Sequence, residues 1–163
     1  LFRSDFAQVL YHLKKDKFIC VSIKNNIWYE FKHHRWHEND SGSSLRLSIS
    51  KEMHQIYQEQ MMKYLQLSAD LPIRSIGPDG SEIENPEWKK AKEMTSQIAT
   101  IAMKLKKTTD KNNIMREARE LFYDRNFLDE QDNNPYLLGF NNGIFDFNEN
   151  LFRPGDQIGR AHV

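Results

Sequence analysis

Apolar residues near the start of the chain return every three or four positions, at Phe6, Val9, Leu10 and Leu13. That spacing gathers them on one helical face. Ser4 or Asp5 can cap the helix, and Lys14, Lys15 and Lys17 complement the partial negative charge at its carboxyl end. The period then shortens. Residues 18–23 and 27–31 are β-branched and aromatic runs separated by Asn25-Asn26, a pair that tolerates left-handed backbone, so the pattern predicts a β-hairpin. Residues 34–37 add a third strand or turn before the polar run 38–44. Helical spacing resumes through Leu45, Ile49, Met53, Ile56, Tyr57, Met61, Tyr64 and Leu65, predicting a helix over 45–67. Between 68 and 86 the periodicity is interrupted by Pro72, Gly77, Pro78, Gly80 and Pro86, which predicts a loop. A third helix starts at Pro86 and continues through Ala91, Ile98 and Leu105. A fourth begins near Thr109-Asp110 and carries Ile114, Ala118, Leu121 and Phe122. Two short apolar runs then flank Asn141-Asn142-Gly143, a strong hairpin signal, and a turn at 148–150 leads to Leu151-Phe152-Arg153. The predicted class is α+β: a mostly helical core of about four helices, an early β-hairpin and a late β-meander.

The length, 163 residues, suits one domain with a proper core or two very small ones. No apolar run approaches the roughly 20 residues of a membrane-spanning helix. The single cysteine, Cys20, excludes an internal disulfide and any multi-cysteine zinc site, and its apolar strand predicts a buried, inert thiol. The absence of an initial Met and of a secretory segment reads as an excerpt from a longer intracellular polypeptide. The charges, 23 basic and 23 acidic, balance overall but not locally. Residues 88–125 hold ten basic and five acidic side chains, whereas 126–163 hold two and six.

That basic stretch supplies one candidate for nucleic-acid binding: Lys104, Lys106, Lys107, Lys111, Arg116 and Arg119. Phosphate contacts need only accessible cations. The same cations equally complement helix ends without any ligand. Trp28, Tyr29, Phe31 and Trp36 can stack on bases, or can pack across strands as aromatic residues in sheets usually do. His33, His34 and His37 beside Glu38 have the donor chemistry for zinc, or decorate the end of a hairpin. No Gly-x-x-x-x-Gly-Lys-Ser/Thr loop is present, so the chain lacks a phosphate-cradling P-loop. Asp146 has no nearby second carboxylate in the sequence, which leaves acid–base chemistry unsupported.

Two blocks carry a family resemblance. Ile27-Trp28-Tyr29-Glu30-Phe31 followed by Arg35-Trp36 resembles the aromatic hairpin of the D5-type amino-terminal domain. Asn134-Pro135-Tyr136-Leu137-Leu138-Gly139-Phe140-Asn141-Asn142-Gly143-Ile144-Phe145-Asp146-Phe147, then Phe152-Arg153-Pro154-Gly155, resembles the later signature of that family. The signature positions are Trp28, Trp36, Asn134, Pro135, Leu138, Asn142, Gly143, Asp146, Arg153 and Pro154. The likeness spans about 5–156 and is nearest to versions from large DNA viruses. It implies a non-catalytic domain, 1–157, placed before a superfamily 3 helicase motor and often behind a primase module. No cofactor is expected in this chain; ATP and Mg would serve the downstream motor. The implied partners are DNA and further copies in a homo-hexamer, with no membrane, in the host cytoplasm or at a viral replication site. Residues 158–163 depart from the usual family continuation and match one frame of a sequencing adapter, so they are expected to be a non-native tail. The alternative expectation is a stand-alone protein-interaction module with no replication role.

Overall fold

The computed structural model describes residues 3–130, 136–140 and 142–154, with 3–5 and 130 described by backbone alone. Asn134, Pro135 and the tail 158–163 lie outside the described residues. The chain forms two compact units, one from Leu1–Arg46 with Asn112–Val163 and the other from Leu47–Lys111. The predicted class, α+β with an early and a late sheet, is the class observed.

In the first unit, helix α1 (Arg3–Lys14) precedes strands β1 (Phe18–Ser22), β2 (Ile27–Lys32) and β3 (Arg35–Asn39), an antiparallel sheet in the order β1-β2-β3. The β2–β3 turn places His33 and His34 at positive φ, a backbone whose twist suits a two-residue hairpin. Trp28 is fully buried; its Nε1 donates to Asn26 Oδ1 at 2.9 Å and its ring meets Phe122 edge-on. After helix α5 (Thr108–Leu121) the chain joins the sheet in parallel beside β1. Cys20 N donates to the Phe122 carbonyl at 2.9 Å, and Asp124 N donates to the Cys20 carbonyl at 3.0 Å. Gly42 sits at φ +66°, where a Cβ would come within 2.8 Å of Met115 and 3.2 Å of the Trp28 ring. The positive φ favours glycine there, and the Trp28 ring leaves little room for a Cβ.

The late sheet is an antiparallel meander of β6 (Leu137–Phe140), β7 (Gly143–Asp146) and β8 (Leu151–Arg153). Strand pairing sets Gly139 opposite Ile144 and Ile144 opposite Arg153. Gly139, Ile144 and Asp146 on that face are buried. The short helix α6 (Phe127–Glu130) precedes the meander and buries Phe127 completely.

Two predictions about the second unit need correction. The helix predicted over 45–67 is interrupted: α2 (Ser43–Ser48) passes into one π-helical turn, Ile49–Met53, before α3 (His54–Asp70). Ile49 and Met53 are buried, while Ile56 and Leu65 are 38% and 42% exposed. A single helical period therefore does not describe the face that the interrupted helix buries. The predicted loop 68–86 begins with the last turn of α3 and contains a hairpin of β4 (Arg74–Ile76) and β5 (Glu82–Glu84). Its strands have three residues each, too few for alternation to register, and Gly77, Pro78 and Gly80 form its turn. Asp79 Oδ1 accepts from Ser81 N and Oγ, closing that turn and holding the exposed carboxyl below its ordinary value. Asn85 then starts α4 (Pro86–Lys104): Oδ1 accepts from Glu87 N at 3.0 Å and Nδ2 donates to the Pro72 carbonyl at 2.8 Å. Pro86 occupies the first helical turn, as the sequence predicts.

Candidate functional site

Asp146 ends β7 on the buried face of the meander. One carboxylate oxygen, Oδ1, accepts from the backbone N–H groups of Asn148 and Glu149 at 3.0 and 3.4 Å. The other, Oδ2, accepts from Arg153 Nη2 at 2.7 Å. Asp146 thus folds the β7–β8 turn and pairs across it. Its lone pairs are engaged in structure, which gives it a holding role rather than a proton-transfer role.

Gly143 begins the same strand. A Cβ there would lie 2.5 Å from the Arg153 carbonyl oxygen and 2.6 Å from the Phe152 ring, closer than any side chain tolerates. The signature glycine is explained by close approach of β8. Of the other signature positions, Leu138 is 47% exposed, and Asn142 and Pro154 are also exposed.

The early signature block meets the late one through adjacent residues. Arg35 Nη2 donates to the Gly139 carbonyl at 2.7 Å. Trp36 packs on Phe31 and, edge-on, on the buried Phe127, with centroids 5.3 and 5.1 Å apart. Tyr29 also lies against Phe127. These aromatic residues pack with one another, which is the alternative the sequence left open to base stacking.

The basic candidate divides between the two units, with Lys104, Lys106, Lys107 and Lys111 in one and Arg116 and Arg119 in the other. Lys106 Nζ donates to the Ser50 carbonyl in the π-helical turn at 2.6 Å. Nearby His54 has its pKa lowered from 6.5, first by burial and then by the Lys106 charge. Arg119 reaches the Ile23 carbonyl at the long distance of 3.5 Å, and its Nε is buried with no hydrogen bond among the described residues. Lys104, Lys107 and Arg116 are exposed, and Lys111 is half-buried. Successive backbone bonds, Lys107 N to Lys104 O and Lys111 N to Lys107 O, keep those three lysines on consecutive turns.

His33 and His34 shape a turn, and His37 pairs opposite Glu30. Among the described residues, no three His, Cys, Asp or Glu side chains are grouped to hold a metal ion. Cys20 is buried, and that burial raises its thiol pKa above 9.0. Among the described residues, no helix is long and apolar enough to cross a membrane.

Sequence reasoning missed the Arg35–Gly139 bond and the π-helical turn. The first joins residues 104 apart, and the second has no sequence signature beyond a helical stripe that changes phase. The late meander also turns several large apolar side chains outward, although the same aromatic alternation would serve a sheet buried on both faces.

The fold and these sites define an α+β domain in which Gly143, Asp146 and Arg153 hold the late sheet together. The chain belongs to the family described as D5 N terminal like, which matches residues 7–161. It is 35% identical over 145 residues to "Putative helicase L207/L206" of Acanthamoeba polyphaga mimivirus, covering 88% of this chain and 14% of that protein. It is 29% identical over 168 residues to "Putative helicase 022R" of Frog virus 3 (isolate Goorha), covering 91% of this chain and 17% of that protein. The chain therefore spans about one-sixth or less of the length of these two relatives.

Proposed function

We propose that the chain is a non-catalytic domain of a viral DNA helicase–primase used in genome replication, set before an ATP-driven superfamily 3 motor. In this reading it contributes to ring assembly or DNA engagement, and ATP and Mg serve the motor. The whole protein would act as a homo-hexamer at the viral replication site or in the host cytoplasm. The carrying observation is the family match over 7–161, joined to relatives named as helicases. The missing P-loop supports placing nucleotide chemistry elsewhere in the polypeptide. The exposed turns bearing Lys104, Lys107 and Lys111 are the favoured contact with phosphates.

Salt-titrated binding to single- and double-stranded DNA tests DNA engagement. Affinity should fall as salt rises, and Lys104→Gln, Lys107→Gln and Lys111→Gln together should flatten the slope by up to about 0.9 per phosphate contact on duplex. Salt-independent or absent binding would remove DNA engagement by this domain and leave two readings, ring assembly and a stand-alone protein-interaction module. The outward apolar face of the meander is the feature that favours this second reading.

A further inference from the structure

Register across the meander sets Leu138, Phe145 and Phe152 in one row, each paired with the next. Residues two apart on a strand share a face, so Phe140 and Phe147 join them. The Phe140 ring lies 6.0 Å from Phe152, and the Phe147 ring lies 5.0 Å from Phe145. Leu138, Phe140, Phe147 and Phe152 are 47%, 41%, 54% and 44% exposed. The opposite face carries the buried Ile144 and Asp146. The row of Leu138, Phe140, Phe145, Phe147 and Phe152 is therefore an apolar face with most of its side chains turned to solvent. An antiparallel sheet with one solvated face normally alternates apolar-in and polar-out, and this outward row is apolar instead.

Charge and size constrain the occupant. Arg153 is the one basic residue between 136 and 154, and Asp146 already pairs with it, so this surface offers little attraction to a polyanion. Three strands about 4.8 Å apart, each with about four residues rising about 3.4 Å, present a footprint of roughly 200 Å². Stable association between separate molecules buries about 800 Å² on each side. A partner held on the same polypeptide requires less contact, because the linkage raises its effective concentration to the millimolar range. The relatives are long enough to carry such a partner, since this chain covers only 14% and 17% of their lengths.

We infer that the face of Leu138, Phe140, Phe145, Phe147 and Phe152 is the seat for an apolar surface elsewhere in the same full-length polypeptide. This inference rests on the reading of the chain as one domain of a longer viral helicase.

Single reporter thiols test it, since Cys20 is the sole cysteine of the 163 residues and is buried. Leu138→Cys and, as a control, Met62→Cys on α3 are placed in the full-length polypeptide and in the 163-residue chain. Maleimide modification at each site is followed by peptide mass spectrometry. Leu138→Cys should react at least tenfold more slowly in the full-length polypeptide, while Met62→Cys reacts equally in both. Equal rates at Leu138→Cys would overturn the inference. So would protection in the 163-residue chain that grows with its own concentration, which would identify a second copy as the occupant. Protection that arrives only when single-stranded DNA is added would overturn it in favour of nucleic acid. The outcomes read without added DNA are independent of whether Lys104, Lys107 and Lys111 bind DNA.

Discussion

Arg35 on β3 donates a hydrogen bond to the Gly139 carbonyl on β6 at 2.7 Å, so the edge of the early sheet holds the edge of the late one. Among the described residues Arg35 Nε is buried without a hydrogen-bond partner of its own, which concentrates the role of the side chain in Nη2. Arg35→Met keeps most of the stem and removes the donor. It should cost about 1.5–3 kcal/mol, the range for a hydrogen bond from a charged group. Denaturant unfolding measures the loss, and hydrogen exchange should show faster opening of the meander than of β1 and β2.

Gly143→Ala should disturb the meander more than its size suggests. The added methyl meets the Arg153 carbonyl, a backbone atom that cannot swing aside. A cost of about 1–3 kcal/mol is expected from overpacking, whereas exposed Asn142→Ala should stay within about 0.5 kcal/mol. Paired chemical denaturation curves would compare the two; equal midpoints would remove the close-approach explanation.

Asp146 does two jobs, and two substitutions separate them. Asp146→Asn can keep an oxygen for the Asn148 and Glu149 N–H groups but weakens the bond to Arg153. Asp146→Ala loses both. The alanine variant should be the less stable of the two, by about 1 kcal/mol, the usual worth of a capping side chain. Arg153 is 31% exposed, so the ionic part of the loss is reduced by solvent. Thermal melts of the three proteins would rank them.

Burial and Lys106 together hold the His54 pKa below 6.5 in the folded protein. As pH falls through 6.5, the unfolded chain binds the proton first, so folding loses stability from there down through the depressed folded value. The contribution is fully present above 6.5. Lys106→Met removes the second cause and leaves the first. An NMR titration of the His54 ring should therefore move upward without reaching 6.5, and the pH dependence of the melting temperature should narrow.

The elements legible in the sequence are those with long or chemically marked patterns. Phe6 to Leu13 announced α1, Asn25-Asn26 and Asn142-Gly143 announced hairpins, and Pro86 marked the start of α4. The β4–β5 hairpin stayed hidden because six strand residues around Pro78 and Gly80 carry no readable alternation. The π-helical turn stayed hidden because Leu45, Ile49 and Met53 fit an ordinary helix equally well. At the candidate site, residue type revealed that Lys106 and Arg119 were cations but not that carbonyls of Ser50 and Ile23 were within their reach. Those partners are set by tertiary folding, which local spacing does not encode.

Below the Asp79–Gly80 tip, Asn85 N donates to the Ile73 carbonyl and Asn85 Nδ2 to that of Pro72. This clasp isolates the excursion from the helices on either side of it. Extra residues spliced at the tip would add only the entropy of closing a larger ring, which grows with the logarithm of its length. An epitope or fluorescent tag inserted there should leave α3 and α4 undisturbed, giving the protein a ready attachment point for following it inside cells.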